Sequence, residues 1–426
     1  MTNGRSSTAK RSMIAALIVA VGILPPALSN ARTNHGLGVP AGYTVGWRSL
    51  ADGVDLFTFV ARGSQVVRVA RVSRDAPYVL RPIVSQDRLA GPGPRVERTS
   101  AMCARTRCLL AINGDFFSRG VPVGGLISDG HPLRSPITRP QVVIDDAGRA
   151  SLDDHAALDG VLVALYPRHV AGVVLPLQDE HELTVDAINV ARAAGRIVAY
   201  TPVFGPRTET AANGAELVAA VGSVTLGQRA HLHVVSFHEG GNSVVRAGTI
   251  VLSGSGAGAA ALRALWRDVR SGAASADAWI RFDADRPASM SMAGNPVVLR
   301  AGGDAYPRSR ASLIRSRNPR TIIAWTKGGD ILLVTVDGRR SRRSNGMNLR
   351  EAAAFLRALG ATDALNLDGG GSTTMVAGGK VLNVPSDRMV SQGGRLHLVR
   401  YPASGDRVVR ASVERAVATA LAIVPR

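Results

Sequence analysis

A chain of 426 residues that is 46% hydrophobic can bury a substantial core, which excludes global disorder and fits one large domain or two ordinary ones. Aromatic residues supply only 4%, so that core must be built from Val, Leu, Ile and Ala. The formal net charge of +19 comes almost wholly from scattered arginines. Without interleaved aromatics or a recognised module, these read as a solvated surface open to anionic partners rather than as a nucleic-acid site.

At the N-terminus Arg5, Lys10 and Arg11 precede the apolar run "MIAALIVAVGIL", then Pro25, Pro26 and "ALSNA". This is the layout of a secretory signal peptide, residues 1–31, with cleavage expected after Ala31 and residues 32–44 as a linker. The run is short for a membrane span, and an uncleaved anchor is the alternative. No later segment reads as a transmembrane helix, so a secreted or wall-associated protein without stable membrane insertion is expected.

Residues 46–84 alternate in the manner of strands. Cys103 and Cys108, in "CARTRC", are expected to close a local disulfide in an oxidising compartment and so pin the approach to "LLAINGDFF"; two free buried thiols are the alternative. "GGLISDGHPL" and "QVVIDDAGRASL" read as hairpins. "TVDAINVARAAG" reads as a helix stopped by Gly195, "GRIVAYTPVF", "HLHVVSF" and "GTIVLSG" as strands, and "GAGAAALRALWRDVRSG" as a second helix. The tail, residues 404–426, is Arg- and Ala-rich and reads as helix or disorder. The expected fold is α+β: one large domain over residues 45–403, with mixed, largely antiparallel sheets and packed helices.

The C-terminal third is more explicit. "RTIIAWTKGGDILLVTVDGRR" predicts a hairpin turning at residues 327–330. "NLREAAAFLRALG" predicts a helix with Asn348 as N-cap, Glu351 completing a capping box and Gly360 just past its end. "ALNL" is then a short buried strand delivering Asp368. Asp337 and Asp368 thus both stand where a strand gives way to a turn, a rigid and accessible position.

"LNLDGGGSTTMV" places Gly369, Gly370 and Gly371 directly after Asp368, with Ser372, Thr373 and Thr374 following. Three glycines cost chain entropy, so something must approach this backbone closely. One reading is an anion nest of backbone N–H groups and hydroxyls. The other is a tight turn whose aspartate bonds its own loop.

These residues, with "VTVDGRR", "SNGMNLREAAAFLRALGA", "RNPRTIIAW", "LLAINGDFF", "GGLISDGHPLRS", "INVARAAGRIVAYTP" and "AGNPVVLRAG", resemble the phosphodiester glycosidase family over residues 45–401. Ala324 and Trp325 depart from the pattern, standing where relatives carry a glycine. The resemblance implies hydrolysis of a sugar-1-phosphodiester at the anomeric carbon, N-acetylglucosamine-1-phosphodiester among the substrates. It also implies a glycan partner and no cofactor.

Such chemistry needs a grip on phosphate and a carboxylate near C1. Asp368 is the candidate catalytic carboxylate, with Asp337 or Asp115 as its partner. Arg320 is the candidate phosphate grip. Asn113 and Asn366 would bond the sugar or orient the carboxylates, and the glycine loop with Ser372 and Thr373 would meet the phosphate. Arg339 is either a second phosphate ligand or one solvated arginine in "RRSRR". No zinc motif is present. Three aspartates holding Ca²⁺ or Mg²⁺ would instead make a phosphodiesterase that attacks phosphorus. A non-catalytic binder of anionic wall polymers is the remaining alternative.

Overall fold

The computed structural model describes residues 37–426 apart from 62–64, 171–172, 310 and 341–342. The expected signal peptide lies outside these residues. The described end of the expected linker belongs to the fold, since Leu37 is buried beside Phe355 and Leu356.

The α+β expectation is corrected by the element content. Among the described residues, 33 strands accompany only four α-helices. The helix expected from "TVDAINVARAAG" is absent. Strand Val173–Val185 pairs antiparallel with Leu158–Val170, and Ala187–Ile188 pairs parallel with Ile197–Tyr200. Val185 and Ile188 are fully buried there, Asp186 accepts from the Ile197 amide at 2.8 Å, and Asn189 turns the chain at φ 54°. Pairing partners outweigh a weak local preference. The tail is also strand: Arg407–Val413 pairs with Asp387–Gln392, and Thr419–Pro425 lies between Tyr78–Val84 and Leu110–Asn113. Its Ala420, Leu421, Ala422 and Ile423 are fully buried, so both faces are apolar and no alternation marks it.

Two sheets carry the site. One has eight strands in the order Tyr43–Ala51, Val54–Ala61, Gln65–Val72, Ile331–Val336, Arg320–Thr326, Ala361–Asn366, Val297–Arg300, Gly303–Asp304. Ile323, Leu333 and Leu365 point to one face and meet Ile112, Leu421 and Ile423 of the five-stranded sheet built around Thr419–Pro425. Ile322, Val334 and Ala364, one residue out of step, point to the other face and meet Phe355 and Leu356. Phe355 and Leu356 belong to the helix Leu349–Ala358, whose Asn348–Glu351 capping box forms as expected. A separate eight-stranded sheet spans residues 158–284 with its own core, against which Leu262 and Leu265 of the second expected helix, Ala257–Ser271, are packed.

Antiparallel register gathers the functional ends. Arg320 stands opposite Val336, and Ile322 opposite Asn366. The start of the Arg320 strand therefore shares an edge with the ends of its two neighbours, where Asp337 and Asp368 follow. Upstream, the expected disulfide between Cys103 and Cys108 is formed, just ahead of strand Leu110–Asn113.

Candidate active site

The glycine triplet is crowded by the protein's own groups. A Cβ on Gly369 would lie 2.8 Å from the Pro319 carbonyl oxygen, one on Gly370 2.7 Å from Arg339 Nη2, and one on Gly371 2.4 Å from Arg415 Nη2. Gly370 also has φ +64°, the region glycine adopts without a steric penalty. The loop amides mostly turn inward: Gly370 N donates to Pro319 O at 2.9 Å, and Ser372 N to Gly369 O at 3.2 Å. Small size here lets guanidinium groups close on the backbone beside Asp368.

Those guanidiniums define a pocket of about 240 Å³ lined by Arg320, Arg339, Arg400 and Arg415, together with Asp368, Asn318 and Phe116. Arg320 is 2% exposed and is held by neutral acceptors only: Nε donates to Met347 O at 2.9 Å, and Nη2 to Leu313 O at 2.6 Å and Ser316 O at 3.0 Å. Burial, then the neighbouring Arg339 charge, pulls its pKa down to about 10. Arg339 donates to Ser386 Oγ and Asn318 Oδ1, both at 3.2 Å, and is likewise pulled down by burial and by Arg400. It is therefore no solvated arginine. Clustered, desolvated cations with neutral partners favour the entry of an anion.

Asp368 is half-buried among them. Burial raises its pKa, opposed by the Ser372 hydroxyl, Arg415 and the Gly369 amide. The Ser372 hydroxyl faces the carboxylate without an ideal hydrogen bond. Asn113 fixes the backbone of this residue: Nδ2 donates to Asp368 O at 2.6 Å, while Oδ1 accepts from Thr321 Oγ1 at 2.7 Å and from Thr374 N at 3.1 Å. Asn113 thus staples the loop to two strands. Asn366 lines the pocket, with Nδ2 spent on Asn295 O and Leu367 O and Oδ1 without a partner. The Thr373 hydroxyl is buried and also lacks a partner.

The other aspartates sit behind the pocket wall. Asp115 is 1% exposed, accepting from Phe116 N at 2.7 Å and Gly124 N at 2.8 Å, with Arg139 at 3.6 Å. Burial raises its pKa to about 6 despite Arg139 and the two amides, and the Asp368 charge adds to the rise. Asp337 bonds Arg68 at 3.2 Å and the Val384 amide at 3.1 Å. It fastens the loop that carries Arg339 and does not line the pocket. Among the described residues no three His, Cys, Asp or Glu side chains gather in a way that would hold a metal ion.

Sequence reasoning missed Asn318, Phe116, Arg400, Arg415 and Asp387. Asn318 and Phe116 fall inside quoted motifs and were findable there. Arg415, bound to buried Asp387 at 2.7 Å, carries no local mark in an arginine-rich tail.

Residues 213–424 match the phosphodiester glycosidase family. A mouse N-acetylglucosamine-1-phosphodiester alpha-N-acetylglucosaminidase is 38% identical over 79 residues, 18% of this chain and 15% of the mouse protein. The chain therefore spans a small part of that relative's length. A hypothetical protein from Synechocystis superposes with a TM-score of 0.60 at 20% identity, covering 90% of this chain and 64% of its own. A putative exported protein from Burkholderia pseudomallei superposes with a TM-score of 0.54 at 23% identity, covering 85% and 74%. These two likenesses establish a shared fold.

Proposed function

Since the chain belongs to the phosphodiester glycosidase family, we propose that it hydrolyses a sugar-1-phosphodiester at the glycosidic C–O bond. The observation that carries this reading is the pocket itself, where one half-buried carboxylate, Asp368, stands among four arginines. The phosphate docks on Arg320, Arg339 and Arg415. The anomeric carbon then faces Asp368, whose charge stabilises the oxocarbenium-like transition state. The departing phosphate monoester has a second pKa of about 6, so it needs less protonation than an alcohol. Asp115, enclosed behind the pocket wall with its pKa raised to about 6 by burial, does not line the pocket and acts on Asp368 through its charge. Asp337 and Asn113 are positioning residues, one for Arg339 and one for the Asp368 loop.

We place the protein outside the cytoplasm, on the N-terminal pattern and the Cys103–Cys108 disulfide, with an envelope or extracellular glycan as substrate. Hydrolysis of an N-acetylglucosamine-1-phosphodiester in ¹⁸O-labelled water tests the bond cleaved. Label in the released sugar is expected. Label in the phosphate would mean attack at phosphorus and would overturn the assignment of Asp368.

A further inference from the structure

A larger concavity than the Asp368 pocket lies elsewhere. A cleft of about 690 Å³ opens between the separate eight-stranded sheet and the segments around Ala90 and Val121. Its size is that of a small-molecule site. Val121, in the short hairpin Phe117–Ser118/Val121–Pro122, lines it, while Phe116, just before that hairpin, lines the Asp368 pocket. Small residues along one wall, including Ala191, Ala194, Ala211 and Gly195, leave the cleft open.

Three arginines face it: Arg95, Arg134 and Arg192. Arg192 is locked by neutral acceptors, with Nη1 on Ser253 Oγ at 2.9 Å and Nη2 on Ala211 O and Asn213 Oδ1, both at 2.7 Å. Arg134 donates to Asn189 O at 3.1 Å, and its buried Nε has no partner. Arg95 reaches Glu209 only at 3.8 Å. Arg192 and Arg134, the latter with only the buried Asp115 charge acting on it, make no ion pair within the cleft, and Arg95 is loosely paired, which leaves a net positive lining that folding alone does not require.

From this lining and volume we propose that the cleft is a second binding site, for a small anionic ligand of sugar size that presents a phosphate or a carboxylate to Arg134 and Arg192. Unlike the hydrolytic pocket, it offers no carboxylate poised beside the arginines for chemistry, Glu209 being drawn toward Arg95. It binds without turning over, and the proposal does not depend on the glycosidase reading.

Calorimetric titration of the full chain with glucose 6-phosphate, glucuronate and glucose tests it, in an Arg339→Ala background that weakens anion binding at the Asp368 pocket. The expected result is one equivalent of glucose 6-phosphate or glucuronate bound and none of glucose. The preferred anion identifies phosphate or carboxylate as the recognised group. Arg134→Ala should weaken binding on the order of tenfold or more, through loss of charge-assisted hydrogen bonds. Ala194→Trp removes no hydrogen bond from an exposed wall residue and should block the cleft to the same degree, which keeps the test decisive if Arg134→Ala fails to fold. Binding unchanged by Ala194→Trp, or no binding of either anion, would overturn the proposal.

Discussion

At the scale of the residue, Asp368 and Asn113 divide the work of one loop, and their replacements should part company. Asp368 is ionised at a cost, because burial raises its pKa. Asp368→Asn should therefore leave thermal stability unchanged or slightly raised while turnover falls on the order of a thousandfold, the scale of losing preorganised charge stabilisation. Full activity in this variant would remove Asp368 from the mechanism. Asn113→Ala should instead cost stability: Thr374 N, Thr321 Oγ1 and Asp368 O all lose their partner inside the core. A loss of roughly 1–3 kcal/mol in urea unfolding is expected, with activity falling through the displaced loop. Asp115 has a pH signature. Its folded pKa of about 6 lies above the ordinary aspartate value of 3.8. The folded state thus binds this proton more tightly than the unfolded state. The contribution is fully present below about pH 3.8 and is lost as pH rises through about 6. Wild-type stability relative to Asp115→Asn should climb by up to ~3 kcal/mol between pH 7 and pH 4, at 1.36 kcal/mol per pKa unit. Parallel pH profiles for the two proteins would show that Asp115 is not held near 6.

At the scale of the element, legibility followed the distance to the partner. The hairpin Arg320–Thr326/Ile331–Val336, the helix Leu349–Ala358 and the strand Ala361–Asn366 each carry local instructions: a glycine turn, a capping box, a C′ glycine. Asp368 and Arg320 were legible because they sit at the ends of those elements. Strand Thr419–Pro425 carries none, because it is fixed by pairing with Tyr78–Val84 and Leu110–Asn113, at the far end of the chain. Arg415 was hidden with it. The same strand supports the site: Thr419 accepts from Gly114 N through its carbonyl at 2.9 Å and from Asp115 N through Oγ1 at 3.2 Å. Truncation before Thr419 should abolish the cooperative thermal transition seen by circular dichroism; a normal melt would show the sheet closing without its inner strand. The glycine loop has a sharper test. Gly370→Ala forces φ +64° on a side-chain residue and drives its Cβ against Arg339, so activity should fall while Gly378→Ala, at φ +54° with nothing within 4 Å, costs only backbone strain of about 1–2 kcal/mol.

At the scale of the whole molecule, a net charge of +19 surrounds a pocket whose arginines are already in place. The two populations of arginine should answer differently to salt. The Debye length falls from about 10 Å at 0.1 M to about 3 Å at 1 M, so scattered surface charges cease to attract an anion while half-enclosed contacts persist. Arg320 and Arg339 are withdrawn from bulk water in the pocket proposed to take the phosphate, whereas surface pairs such as Arg229 with Glu180 are open to solvent. Between those two salt concentrations kcat/KM for a sugar-1-phosphodiester should fall several-fold and kcat should hold, because steering governs capture and the pocket governs the bound state. A fall in kcat of the same size would mean that salt reaches the bound phosphate, and that the arginines lining the pocket are more open than their burial indicates. A flat kcat/KM would mean that the surface arginines do nothing for capture, and that the pocket alone accounts for the recognition of phosphate.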